Sequence, residues 1–257
     1  MTQRCGRCRT MTLISDTDLT HDAFLGGRVY LWQPRAGYRA GVDPVLLAAS
    51  VPARKGDSVL DLGCGVGTAA LCLGARVSGL DLIGVERQAE YAALARRNGL
   101  AATVCDLSTL PDDLRARSFD HVLANPPFFD RAAGRQSSDA GREAARGLAT
   151  PLSEWVEAGA KRLRHKGYLH MIHRAERVPD LLAATEGRLG SPEIWPICPR
   201  IGKAAELVIF RARKDGRADF CLHAPIILHE GAAHVRDAES YRPEIQAVLR
   251  DGAPLAI

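Results

Sequence analysis

The stretch that decides the fold is Ser58-Val-Leu-Asp-Leu-Gly-Cys-Gly-Val-Gly-Thr68. Its first half, Ser58 to Leu62, is a short apolar run typical of a buried strand, and the apolar segment Ala69 to Ala75 predicts a helix directly after the glycines. Glycines at such a turn adopt backbone angles that a Cβ would block, and they let a ligand approach the free N–H groups that begin the helix. The unit therefore predicts a binding site for a nucleotide-like ligand.

The spacing of the three glycines narrows the class of ligand. Gly63, Gly65 and Gly67 follow the pattern GxGxG. The dinucleotide-binding fingerprint has its third glycine three residues after the second, as GxGxxG. The spacing in this chain therefore disfavours NAD.

Two acidic residues lie at the ends of the next two predicted strands. Glu86 follows the strand Asp81 to Val85, a place where an acidic side chain can accept hydrogen bonds from both hydroxyls of a ribose. A helix from Gln88 to Arg97 leads to a strand from Thr103 to Asp106, and the Asp106 carboxylate could bind an adenine amino group. For each acid the alternative is a solvated strand end or a helix cap. Three strand ends in sequence order favour the binding site.

The fourth predicted strand of this series, Phe119 to Ala124, leads into Asn125-Pro126-Pro127-Phe128. The Asn125 side-chain oxygen and the Pro126 carbonyl can both accept hydrogen bonds from one planar NH2 group, which orients its nitrogen toward a methyl donor. Proline stiffens the backbone around that carbonyl, and Phe128 offers a ring on which a flat base can stack. The alternative is a simple Pro-Pro turn. With the glycine turn upstream, these four residues are the predicted catalytic residues.

Taken together, these motifs resemble those of the class I S-adenosylmethionine-dependent methyltransferases that modify amino groups. Within that superfamily, the segment from Gln33 to Ala48 is similar to the N-terminal signature of the bacterial tRNA1(Val) (adenine-37-N6)-methyltransferases. The segments Ile201 to Phe210 and Ala224 to Glu230 resemble the closing strands of that family. The resemblance therefore covers nearly the whole chain.

The resemblance implies a Rossmann-like α/β fold, a doubly wound and mostly parallel seven-stranded sheet with helices on both faces, which agrees with the alternation of strands and helices. It implies S-adenosylmethionine as the cofactor and tRNA as the substrate and partner. The cofactor-binding residues that it implies are Tyr38, Asp43, Asp61, Gly63, Cys64, Gly65, Gly67, Glu86, Arg87, Asp106, Leu107 and Asn125.

The resemblance also assigns roles to these residues. The glycines would wrap the methionine part of the cofactor, Glu86 would hold its ribose and Asp106 its adenine, and the segment Asn125 to Phe128 would bind the target adenine. Tyr38 and Asp43 would close the cofactor pocket. Asp43 equally predicts a helix start, as the N-cap before Pro44 at N1.

One departure leaves the target open. Many adenine and glutamine N-methyltransferases have Tyr where this chain has Phe128, here followed by Phe129. The alternatives are a ribosomal RNA guanine N2-methyltransferase, a protein glutamine N5-methyltransferase and, more remotely, a non-catalytic RNA-binding scaffold. The intact glycines and Asn125 oppose the last of these.

Basic residues follow the proposed catalytic segment. A polar run from Asp130 to Ala149 predicts a loop over the target base, and a helix begins at Thr150-Pro151 and continues through Arg164. The alternative for the basic residues is a solvated face, and a net charge of +4 is modest for a protein that binds nucleic acid. The candidate phosphate contacts are Arg131, Arg135, Arg142, Arg146, Lys161, Arg162, Arg164 and Lys166.

Length and composition predict one enzyme domain. We expect residues 1–20 to be a disordered tail and residues 21–257 to form a single methyltransferase domain. Hydrophobic residues make up 46% and charged residues 25% of the chain, and no apolar run approaches the ~20 residues that span a bilayer. The N-terminus lacks the apolar core of a signal peptide, so a cytoplasmic protein without membrane association is predicted. Met11 is an alternative translation start.

The cysteines and histidines do not predict a metal site. Seven cysteines, an odd number, favour a reducing compartment over a disulfide framework. Cys5 and Cys8 form a C-x2-C pair without a second half-site nearby, and His229 and His234 are one residue too far apart for a zinc-binding helix. His170 and His173 lie on a predicted strand, Tyr168 to His173, where their odd separation points them to opposite faces.

Overall fold

The structure is a computed structural model that describes residues 14–128, 150–231 and 240–257. Several predictions therefore lie outside the described residues. They concern the pair Cys5 and Cys8, the start at Met11, Phe129, the loop from Asp130 to Ala149 with its four arginines, and His234.

Two sheets make up the strands of the described residues. A two-stranded antiparallel hairpin pairs β1 (Leu19–Phe24) with β2 (Val29–Pro34). The central sheet has nine strands in the order β10-β8-β9-β7-β6-β3-β4-β5, with β11 also paired to β8. Their bounds are β3 Ser58–Leu62, β4 Asp81–Glu86, β5 Ala101–Val104, β6 Phe119–Ala124, β7 Leu163–Arg174, β8 Gly190–Cys198, β9 Leu207–Arg213, β10 Cys221–Leu222 and β11 Ile226–Ile227.

Helices connect the strands. Those of the described residues are α1 Asp43–Ser50, α2 Thr68–Arg76, α3 Ala89–Arg97, α4 Asp112–Arg115, α5 Leu152–Arg162, α6 Val178–Thr185 and α7 Pro243–Gln246. Strands β3 to β7 are mutually parallel, and β9 runs antiparallel to both of its neighbours. The doubly wound α/β prediction is confirmed. In the described part of the chain the sheet has nine strands rather than the predicted seven, because β8 and the two-residue β10 were not predicted.

The core covers both faces of this sheet, and its central strands are largely buried. All six residues of β6 are buried. Successive residues of a strand point to opposite faces, and Val122 accordingly packs in one core cluster with Leu169, while Leu123 packs in another with Ile172. A strand covered on both faces is typically apolar on consecutive residues, as β6 is from Val122 to Ala124, whereas its amino half contains Asp120 and His121.

The chain crosses the sheet after β5, so β3 has β4 on one side and β6 on the other. In open α/β sheets the crevice at the carboxyl ends of the strands next to such a reversal is where ligands bind. The glycine turn follows β3, and Asn125 follows β6. Both predicted motifs therefore reach the same crevice.

Several predicted boundaries are wrong. The strand predicted to end at Asp106 ends at Val104, and the two closing strands are β9 and the two-residue β11 rather than 201–210 and 224–230. The tail predicted to reach residue 20 is ordered from at least Asp16, where a 3-10 turn leads into β1.

Candidate active site

The glycine turn has the left-handed backbone that its sequence predicts. Gly63, Gly65 and Gly67 have φ angles of 62°, 56° and 91°. At Gly63 a side chain is excluded by lack of space as well as by the positive φ angle. A Cβ built there would lie 2.4 Å from Cη2 of Trp155 on α5. Only glycine therefore fits the first position without displacing α5.

Glu86 is fixed at the end of β4 by backbone donors. Its Oε2 accepts a hydrogen bond from the Gly65 N–H at 3.0 Å, and its Oε1 accepts one from the Gln88 N–H at 2.8 Å. Burial raises the pKa of the Glu86 carboxyl, while these hydrogen bonds favour the charged form. A carboxylate oxygen accepts more than one hydrogen bond, so both oxygens keep capacity for hydroxyl donors.

Asp61 lies beneath the same turn. Its Oδ2 accepts from the Ala70 N–H of α2 at 3.3 Å. Burial, together with the neighbouring charge of Glu86, raises the pKa of Asp61 to about 7. The adjacent Cys64 is also buried, and burial raises the pKa of its thiol, which stays protonated at neutral pH. The carboxyl groups of Asp61 and Glu86 therefore both accept hydrogen bonds from backbone N–H groups in or just after the glycine turn.

Asp106 acts as a cap in this structure. Its Oδ1 accepts from the Ser108 N–H at 2.9 Å and from the Ser108 hydroxyl at 2.8 Å, at the start of the 3-10 turn Leu107–Thr109. These hydrogen bonds lower the pKa of Asp106. Its Oδ2 lies 4.0 Å from Nη1 of Arg87, so a ligand would have to share this carboxylate with both partners. Leu107 packs against the core.

Tyr38 links the glycine turn to the proposed catalytic segment. Asn125 Nδ2 donates to the Tyr38 hydroxyl at 3.5 Å, and Cε1 of Tyr38 would lie 3.8 Å from a Cβ built on Gly65. The Tyr91 hydroxyl holds the backbone of Tyr38, accepting from its N–H at 3.0 Å and donating to its carbonyl at 3.2 Å. The pKa of the Tyr38 phenol is raised by desolvation and then by the carboxylates of Asp43 and Asp61.

Asp43 does not cap its helix. Helix α1 begins at Asp43 itself, Val42 is the N-cap, and no side chain caps this end. The predicted N-cap role is therefore wrong. Asp43 instead stands close enough to Tyr38 to raise the pKa of its phenol, and burial raises the pKa of the Asp43 carboxyl. Its contact with the cofactor stays a prediction.

The segment Asn125 to Phe128 leaves the carboxyl end of β6. Asn125 is half-buried and Pro126 buried, whereas Pro127 is exposed. Because Asn125 donates to Tyr38 through Nδ2, the opposite end of the amide, Oδ1, is available as an acceptor. Phe128 is half-buried.

His173 contacts this segment, a role that the sequence did not indicate. Its ring lies edge-on to Phe128, with centroids 5.3 Å apart and planes at 71°. Nδ1 accepts from the Arg174 N–H at 2.9 Å. Burial, with Arg177 nearby, lowers the pKa of His173 to about 4, so the ring is neutral at pH 7. The contact follows from the register of β7 beside β6, in which Met171 lies opposite Ala124.

Other candidates are not brought into this site. Lys161, Arg162, Arg164 and Lys166 lie at the end of α5 and the start of β7, toward the opposite edge of the sheet. His170 faces away from His173 and contacts His121. Within residues 14–128, 150–231 and 240–257, no group of three or more His, Cys, Asp or Glu could hold a metal ion, and no helix is long and apolar enough to cross a membrane.

Comparison with known proteins agrees with this geometry. The family model of the methyltransferase small domain matches residues 40–185. The chain is 28% identical over 204 residues to the tRNA1(Val) (adenine(37)-N6)-methyltransferase of Actinobacillus succinogenes, covering 76% of this chain and 84% of the relative. It is 26% identical over 228 residues to the enzyme of the same name from Dickeya chrysanthemi, covering 84% and 88%.

Solved structures share the fold. A predicted O-methyltransferase from Agrobacterium tumefaciens, 25% identical, superposes with a TM-score of 0.68 over 83% of this chain and 98% of its own. The 16S rRNA N2 G1207 methyltransferase of T. Thermophilus, 22% identical, gives a TM-score of 0.50 over 76% of this chain and 50% of its own. The second likeness concerns the fold alone.

Proposed function

The chain belongs to the methyltransferase small domain family and is an S-adenosylmethionine-dependent methyltransferase, and on that premise we propose that it methylates N6 of an adenine in tRNA. The observation that carries the proposal is the position of Asn125 and Pro126. They directly follow β6 at the switch point of the sheet, beside the glycine turn, with the Asn125 Oδ1 available as an acceptor. Two relatives, 28% and 26% identical, are named for adenine 37 of tRNA1(Val).

The residues present fit the cofactor. The turn at Gly63, Gly65 and Gly67 makes a cradle of positive-φ backbone, and Glu86 holds spare acceptor capacity at its rim. In the proposal, the glycines hold the methionine part, Glu86 the ribose and Asp106 the adenine, with Tyr38 across the opening. S-adenosylmethionine supplies an electrophilic methyl group when bound.

The contribution of the chain itself is orientation. An exocyclic amine shares its lone pair with the ring, so its nitrogen must be oriented toward the methyl carbon of the donor before it reacts. Asn125 Oδ1 and the Pro126 carbonyl would each accept one N–H of the amine, and Phe128 would stack on the base. The His173 ring contacts the Phe128 ring at an angle of 71° and would help to orient it for that stack.

The presence of Phe at position 128 favours a second candidate function. Ribosomal RNA guanine N2-methyltransferases carry Phe after Pro-Pro, as this chain does. The same two acceptors would orient the guanine N2 amine. The two candidates differ in the base that is methylated and not in the chemistry.

The deciding experiment supplies methyl-labelled S-adenosylmethionine to the purified protein with unmodified total tRNA, ribosomal RNA or protein. The RNA is digested and the labelled nucleoside is identified by mass spectrometry. We expect N6-methyladenosine from tRNA, and none with Asn125→Ala. Labelled N2-methylguanosine from ribosomal RNA would replace the proposal with the second candidate. Label in glutamine of the added protein would replace both.

A further inference from the structure

A cavity lined by basic residues lies at the amino-terminal ends of the parallel strands, which we call the amino edge of the sheet. The glycine turn lies at the carboxyl ends of the same strands. Its volume is about 500 Å³. Strands β6, β7 and β9 form its floor, where His121 lies opposite Tyr168 and Tyr168 lies opposite Arg213. Five basic side chains line it: Arg54, Arg164, Lys166, Arg211 and Arg213.

The carboxylates of this cavity are already engaged. Asp120 accepts from the Ser58 N–H at 2.9 Å and pairs with Arg164. Outside the cavity lining, Glu193 pairs with Arg211, with Nη2 at 3.0 Å. Each of these two arginines therefore has its charge balanced within the protein.

The histidines beneath the cavity add no positive charge. His170 is 0% exposed, and its Nε2 lies 3.1 Å from Nδ1 of His121, whose Nε2 lies 3.3 Å from Oδ2 of Asp57. Burial lowers the pKa of both rings. The least costly tautomers place a proton on each Nε2, since His170 then donates to His121 and His121 to Asp57. His170 Nδ1, which has no partner in the described part of the chain, is then a bare acceptor rather than an unpaired donor.

Within the part of the chain that the structure describes, three of the five basic side chains lack a carboxylate partner. Asp57, whose partner His121 is neutral, offsets one of them, which leaves a net surplus of two positive charges. Among the described residues, Arg54, Lys166 and Arg213 have no carboxylate partner. They come from the loop before β3, from β7 and from β9, so three separate parts of the chain converge on one cavity. Arg54 and Lys166 are exposed, and Arg213 donates from Nε to the Lys166 carbonyl at 3.3 Å. The surplus positive charge therefore faces solvent.

No aromatic face is open for a base. The Tyr168 ring is stacked against His121 at 6.3 Å, and the guanidinium groups of Arg213 and Arg211 lie 5.2 and 5.6 Å from its centroid. Recognition here must act through charge, and arginine forks with a lysine suit phosphate oxygens.

We propose that this cavity binds backbone phosphates of the RNA substrate, at a part of the RNA remote from the modified nucleotide. The proposal rests on the RNA substrate of the proposed function. His121 precedes Asn125 by four residues of β6, which corresponds to roughly 13 Å along the strand. An RNA that places one base at Asn125 must therefore span at least this distance to reach the amino edge, which a folded RNA does and a single nucleotide does not.

The test compares two double variants that differ only in charge. R54Q/K166N removes both exposed cations, and Asn suits position 166 because Lys166 has a φ of 65°. R54K/K166R keeps both charges. We expect R54Q/K166N to bind tRNA roughly tenfold more weakly at low salt, with the slope of log affinity against log salt reduced by about 1.5. R54K/K166R should match the wild type, and both variants should methylate a short oligonucleotide at the wild-type rate.

Three outcomes overturn the proposal. The first is wild-type tRNA affinity and salt slope in R54Q/K166N. The second is equal weakening in R54K/K166R, which would assign the effect to shape. The third is a thermal stabilisation by inorganic phosphate that is lost in R54Q/K166N while tRNA affinity is unchanged, which would assign the cavity to a free phosphate compound. Because these are binding measurements, tRNA that binds through the cavity without being methylated would refute the proposed function and leave the cavity proposal standing.

Discussion

The two halves of the candidate active site are held by different kinds of contact. In the half proposed to bind the cofactor, carboxylates accept hydrogen bonds from backbone N–H groups: Asp61 from Ala70, Glu86 from Gly65 and Gln88, and Asp106 from Ser108. In the half built for the target base, side chains from distant elements meet: Asn125 with Tyr38, and Phe128 with His173. The comparison indicates a preformed cofactor half and a target half whose acceptors are kept for the substrate.

The largest effect that we expect separates chemistry from cofactor binding. Asn125→Ala removes one acceptor of the amine, and by analogy with the loss of a single oriented hydrogen-bonding group kcat should fall by about 10² to 10³. The Kd for S-adenosylmethionine should stay within about twofold, measured by isothermal titration calorimetry. Tyr38→Phe is the control, because it removes only the hydroxyl that Asn125 contacts. An equal loss in Tyr38→Phe would mean that Asn125 acts through Tyr38.

The second expected effect is a pH dependence of the free energy of unfolding, which arises from Asp61 in the cofactor half. The pKa of Asp61 is raised by burial to about 7 in the fold, so between its unfolded pKa near 3.8 and about 7 the native state binds the extra proton. The free energy of unfolding should therefore fall as pH rises through this window, by at most about 1.4 kcal/mol per pH unit. Denaturant titrations from pH 4 to 8 measure it. Asp61→Asn should flatten this dependence, and an unchanged slope in that variant would contradict the assignment.

The third largest effect should be the weaker binding of S-adenosylmethionine in Glu86→Gln. The amide keeps the size of the side chain but replaces one acceptor oxygen with a donor, which faces the N–H of either Gly65 or Gln88. A lost hydrogen bond to a charged group costs about 1.5–3 kcal/mol, so the Kd for S-adenosylmethionine should rise roughly 10- to 100-fold. At saturating cofactor, kcat should change little. Glu90→Gln, at an exposed position of α3, is the matched control and should bind the cofactor normally.

The smallest effect should come from the target half. His173→Leu removes the ring that contacts Phe128, and an aromatic pair contributes about 0.5–1.5 kcal/mol beyond its area. We expect KM for the RNA to rise by up to about tenfold while cofactor affinity is unchanged. His173→Phe should restore KM, since it keeps the ring and loses only the hydrogen bond to Arg174. If both variants behave alike, the ring contact is not what matters.

The contrast between the halves also explains what the sequence could predict. The strands β3 and β6 and the positions of the glycines and Glu86 were predicted correctly, because buried runs and glycine turns are local patterns. Asp106 shows the limit of such patterns: the sequence predicts a strand through Asp106, whereas the strand ends at Val104 and Asp106 caps the 3-10 turn that begins at Leu107. The hairpin β1–β2 was not predicted, although Gly26-Gly27 is a turn signal between its two strands.

The contacts of the target half depend on register, which the sequence did not supply. His170 and His173 were correctly expected to face opposite ways, yet their partners, His121 and Phe128, became apparent only with β7 paired to β6. Lys166 was proposed as a phosphate contact near the catalytic segment, whereas the strand carries it to the amino edge. Side chains that meet across strands need the fold before they can be assigned.

The packing of Trp155 against the glycine turn gives the molecule an optical signal. The chain has three tryptophans. Trp195 stacks on His223 away from the turn and Trp32 stacks on His21 and packs against the cluster that contains Val66, whereas the Trp155 ring lies 2.4 Å from where a Cβ on Gly63 would stand. A W32F/W195F variant would therefore leave one emitter, and its fluorescence would follow occupancy of the cofactor half in real time without a label.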